Sequence, residues 1–181
     1  MISPAAALVA WLGATFIVVA DGRRGLAAGI ALSALGLAVL AFLTAGLVPA
    51  TALAAGGAIA AARRYTSGPE GWSILPHGST PRLVLCIAAA LLAFWLSAGI
   101  TSGPFASLRF AAILGAALAA ARVLSSADES ALLSALVLLS LSGASVTAVA
   151  IPEPSVWPYL AAGVLAAGAG WLPLKRRAGA A

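Results

Sequence analysis

Residues 48–64 read VPATALAAGGAIAAARR, and whether they cross a membrane decides how the rest of the chain is threaded. As an α-helix rising 1.5 Å per residue, the apolar stretch 48–62 spans only about 22 Å, against a hydrocarbon core of about 30 Å. Arg63 and Arg64 follow it directly. Their long stems can carry the charges to the headgroups while the bilayer thins to meet them. Omitting this span would invert everything downstream and place Arg122 and Lys175, Arg176 and Arg177 on the opposite side from Arg23 and Arg24.

Outward from this stretch the chain carries six further apolar runs. The spans are expected at residues 4–20, 26–45, 48–62, 83–100, 105–122, 131–151 and 157–174. Arg23, Arg24, Arg63, Arg64, Arg82, Arg122, Lys175, Arg176 and Arg177 then all fall in alternate gaps, which accounts for nine of the 10 basic residues. The gaps of opposite parity, near residues 46–48, 101–103 and 152–157, hold no Lys or Arg. Cytoplasmic loops of membrane proteins collect Lys and Arg, so the alternation gives a topology as well as a class. The expected fold is all-α: a polytopic integral membrane helical bundle of about seven transmembrane helices. Its N-terminus lies outside and its C-terminus in the cytoplasm, with one transmembrane domain over residues 1–181 and a cytoplasmic loop at 65–81. No basic residue precedes the first span, which argues against a cleaved signal peptide.

Composition points the same way. The chain is 62% hydrophobic and 8% charged, with a mean hydropathy of +1.08, whereas soluble domains carry about 25% charged residues. A net charge of +5 would suggest nucleic acid in a soluble protein. Here the charges sit at helix ends rather than along a face, so they read as lipid-headgroup anchors and no nucleic-acid partner is expected. The single cysteine, Cys86, excludes a disulfide within the chain. The Ala, Gly and Leu bias suggests a GC-rich bacterial genome and hence a bacterial plasma membrane.

Local breakers mark the turns. Gly46 and Pro49, Gly103 and Pro104, and Pro152, Pro154 and Pro158 separate the runs. Ser125, Ser126 and Asp128 stand where they can cap the sixth helix. Trp157 and Tyr159 are expected as outer interfacial anchors and Trp171 as an inner one.

Little in the chain can do chemistry. His77 is the only histidine and Cys86 the only cysteine, so no metal site or cofactor is expected. The run Ser142-Gly143-Ala144-Ser145 is superficially similar to the serine turn of rhomboid intramembrane proteases, but no histidine follows it. Catalytic residues are therefore not assigned, and the chain is read as not an enzyme. Three residues stand out as functional or partner-facing candidates. Asp21 closes the first span beside Arg23 and Arg24, which can pair with it locally. Arg109 is the one basic residue outside the alternating pattern and lies within a span, where a charge is costly and faces a partner or a watery path, or else, only about 7 Å from the outer end, snorkels to the headgroups. Trp72 centres the apolar part of the 65–81 loop and can lie at headgroup level or dock on a partner.

Packing is signalled more clearly. Small residues recur every fourth position at Gly25, Gly29 and Ser33; at Ala54, Ala58 and Ala62; at Ala111, Gly115 and Ala119; and at Ala162, Ala166 and Gly170. Such stripes let membrane helices approach closely. Besides the lipid bilayer, the expected partners are other membrane subunits or further copies of the chain, met through these faces. The expected function is an accessory or structural subunit of a larger membrane complex. The alternative is a small oligomeric permease or channel, with hydroxyl groups and Arg109 lining a vestibule for a neutral or anionic solute.

Overall fold

The computed structural model describes residues 2–67, 70–72, 80–98, 105–125, 129–150 and 155–172. These residues form seven helices: α1 (Ile2–Val19), α2 (Arg23–Ala45), α3 (Leu47–Thr66), α4 (Thr80–Ala98), α5 (Ala106–Leu124), α6 (Glu129–Ala150) and α7 (Trp157–Trp171). Three of them, α1, α2 and α5, are long and apolar enough to cross a membrane. Among the described residues the fold is all-helical, and these three helices support a membrane protein.

Six helices close a ring in the order α1, α2, α3, α7, α6 and α5, and α2 also touches α6 across it. Helix α4 stands outside this ring, against α5 and an edge of α1. The core is built mainly of alanine and leucine: Ala10, Leu37, Leu53, Leu114, Leu118 and Leu138 are all buried, with Ile17 among them. Where α1, α2, α5 and α6 meet, the void measures only about 10 Å³, no more than a single water requires.

Close approach rather than bulk holds the ring together. A Cβ on Gly36 would strike the Ala6 carbonyl and the Ala10 amide of α1, and one on Gly56 would strike the backbone of Gly163 in α7. Backbones this near gain dispersion contacts along their length, the main attraction between helices when lipid is as apolar as the side chains. The turn between α2 and α3 is the single residue Gly46, at φ +91°, a state that a side chain would strain. Pro49 falls in the first turn of α3, where the missing amide proton has no helical partner to lose.

Several expectations change. Helix α3 continues through Arg63 and Arg64 to Thr66, giving 20 residues and about 30 Å of helix. Basic residues are good helix formers, so the helix does not stop where its apolar stretch does. The stripes Gly25/Gly29/Ser33 and Ala111/Gly115/Ala119 are buried, as are Ala162 and Ala166. Ala54, Ala58 and Ala62 instead face outward, because α3 packs through Leu53, Gly56, Gly57 and Ala60. Tyr159 is not an interfacial anchor: it is 1% exposed, since its helical spacing to Ala162, Gly163 and Ala166 puts it on the buried face of α7. Trp157 is exposed as expected. Ser125 finishes α5 rather than starting α6, its amide bonding the Ala121 carbonyl at 3.0 Å. Ser126 and Asp128 lie outside the described residues.

Candidate functional site

One end of the bundle gathers the basic residues. Helix α1 finishes there, α2 starts there, and the contacts among Asp21, Arg82 and Arg122 bring in the start of α4 and the end of α5. The ends of α3 and α7 meet there too, with the Arg63 guanidinium 4.7 Å from the centre of the Trp171 ring. Helical rise brings this about. Residues separated by one antiparallel helix pair return to the same end, so the alternate gaps of the sequence converge. Lys175, Arg176 and Arg177 fall outside the described residues.

Within this end lies an ionic cluster built on Asp21. Arg122 Nη1 donates to Asp21 Oδ1 at 2.9 Å and to the Val18 carbonyl at 3.1 Å. Arg82 Nη1 donates to Asp21 Oδ2 at 2.7 Å, and its Nη2 reaches the Ser125 carbonyl at 3.4 Å. Each carboxylate oxygen thus takes one guanidinium, and each guanidinium also serves a carbonyl at a helix C-terminus. Those carbonyls have no partner within their own helix and form the negative end of its dipole, so a cation is favoured there twice over. Arg122 is 1% exposed, and the carboxylate and carbonyl help to compensate a charge that would be costly to bury alone.

Arg64, also buried, stands near the cluster at the end of α3.

The turn before α2 is clamped to the same end. Arg24 N donates to the Gly71 carbonyl at 3.3 Å, and Arg23 pairs with the exposed Glu70 at 3.2 Å. Gly22 lies so close to the backbone of Gly71 and Trp72 that it has no room for a side chain. Trp72 thereby sits over α2 and α3, half-exposed, and lines a groove between them with Arg24 and Tyr65. Two of the candidates read from sequence, Asp21 and Trp72, therefore share one end of the bundle.

The third does not join them. Arg109 lies in the first turn of α5, 13 residues before Arg122, so about 20 Å separates them along the helix. It is partly buried and engaged by a contact within the chain.

The sequence reading missed the partners of Asp21, having offered Arg23 and Arg24. The discriminating signal was faint: Asp21 is the only acidic residue before Glu70, and Arg82 and Arg122 are single arginines at gaps of the same parity. Among the described residues no group of three or more His, Cys, Asp or Glu side chains could hold a metal ion. What the cluster can do is mechanical, fixing three helix ends to one carboxylate. Comparison with family models, curated proteins and solved structures returns no match to this chain.

Proposed function

We propose that this chain is a non-catalytic integral membrane protein that serves as an accessory subunit of a larger membrane complex. All seven helices cross the bilayer, the basic end faces the cytoplasm and the start of α1 lies outside; the membrane is a bacterial plasma membrane. The observation that carries the subunit reading is the position of α4. It packs mainly on α5, buries Cys86 and Ala93 in the core, and turns Val84, Leu91 and Trp95 outward, the last 74% exposed. Among the described helices α4 touches only α5 and an edge of α1, so it offers another chain a bulky surface for van der Waals packing. The outward stripe Ala54, Ala58 and Ala62 on α3 supplies a second, flat face. The filled junction of α1, α2, α5 and α6 supports a packing role over conduction through one copy.

The test is mass spectrometry of the tagged chain gently solubilised from its native membrane. Partner subunits in stoichiometric amount are expected. A homo-oligomer with no partner would overturn the subunit reading in favour of an oligomeric permease for a neutral or anionic solute.

A further inference from the structure

A groove of about 610 Å³ runs between α2 and α3 at the basic end. Its floor is alanine, with Ala28, Ala31 and Ala62 among the lining residues, and its walls carry Tyr65 and Trp72. Arg24 stands at the helix end of the groove, and Ala31 lies seven residues further along α2, about 10 Å deeper into the bundle. The groove is therefore polar at one end and bare hydrocarbon beyond it.

The charge at that end is distinctive. Arg23 pairs with Glu70, Arg63 lies over Trp171, and Arg82 and Arg122 share Asp21. The Arg24 side chain is exposed and makes no ion pair or hydrogen bond among the described residues. It belongs to a first turn with no acidic residue and no side-chain cap, so the positive end of the helix dipole adds to its field. A cation, an amphipathic tryptophan and a strip of small residues leading inward match the parts of a phospholipid in order: phosphate, glycerol region and acyl chain.

We propose that this groove is a binding site for one anionic phospholipid, its phosphate on Arg24 and an acyl chain along the alanine floor beneath Trp72 and Tyr65. The proposal rests on the membrane reading above, with the basic end at a headgroup layer. The bulk bilayer offers the same chemistry everywhere; the site differs in holding its lipid through purification.

Two measurements on the full-length chain test it. In native mass spectrometry from mixed micelles of phosphatidylglycerol and phosphatidylcholine, the wild type should retain one phosphatidylglycerol in preference. Arg24→Gln should lower that retention roughly fivefold, the weight of one basic residue at an anionic surface, and Ala31→Phe should lower it by filling the floor. Equal retention of both lipids, or retention unchanged in both variants, would overturn the proposal. So would displacement of the lipid by millimolar inorganic phosphate, which would mark a site for a free anion. A photo-crosslinking side chain placed at Ala31 in native membranes should label lipid; labelling of protein alone would assign the groove to a partner helix. Failure of the membrane reading itself is separately visible, as a chain absent from the membrane fraction.

Discussion

Asp21→Asn is expected to lower the stability of the folded bundle by about 2–3 kcal/mol: the carboxylate is itself 34% exposed, but without its charge the buried Arg122 guanidinium loses its counter-ion. The variant keeps the size of the side chain and loses its charge, leaving Arg82 and the buried Arg122 guanidinium around a neutral amide. Val18 and Ser125 still offer their carbonyls, which keeps the expected loss below that of a fully buried pair left with one partner. Glu70→Gln, which breaks only the exposed pair with Arg23, should change stability little. Unfolding curves of the purified protein in one detergent would separate the two. Equal stability of Asp21→Asn and wild type would mean that the cluster does not hold α1, α4 and α5 together. Replacing Asp21 and Arg122 together by apolar residues should recover part of the loss, because no charge is then left buried without compensation.

The second large effect is expected at the crossing of α3 and α7. Gly56→Val would drive a branched side chain into the backbone of Gly163. No flexible side chain stands there to yield, so the helices themselves must part. Overpacking costs about 1–3 kcal/mol where neighbours can shift, and the upper end is expected here. Gly143 is the control, because a Cβ there meets nothing within 4 Å. Gly143→Ala should be neutral or stabilising by up to about 1 kcal/mol, the helix-propensity difference. If both variants behaved alike in the same unfolding assay, the close approach of α3 and α7 would not contribute to the fold.

Much of the architecture was legible in the sequence because its signal is local and repeated. Apolar runs bounded by glycine and proline give helices, and α1 to α7 fall within a few residues of the expected spans. Helix ends were less legible: α3 ran on through Arg63 and Arg64, since polarity ends a membrane span without ending a helix. Facing was legible only where size decided it. Ala54, Ala58 and Ala62 look like a packing stripe, yet α3 turns Gly56 and Gly57 inward, because glycine permits the closer contact with α7 and α2. Tyr159 shows the converse, a residue placed by its helical register rather than by its liking for interfaces.

The ionic cluster was the least legible part. Asp21 lies 61 residues from Arg82 and 101 from Arg122, and no periodicity links positions so far apart. They meet only through the packing of α1 against α5 and α4, which depends on side chains all along the three helices. Parity of the gaps placed these residues at one end; only three-dimensional packing selected Arg82 and Arg122 over the adjacent Arg23 and Arg24 as partners of Asp21.

The central claim is that the helices thread the bilayer seven times with the basic end in the cytoplasm. Its most direct test is accessibility of single cysteines to a membrane-impermeant thiol reagent, in cells, with Cys86 replaced by Ser. Ser155→Cys, just before α7, should label in intact cells, and Ser73→Cys, in the loop after α3, should label only once the membrane is opened. Labelling of both from the same side, or of Ser73→Cys alone in intact cells, would contradict the topology and with it the placing of the Asp21 cluster at the cytoplasmic face.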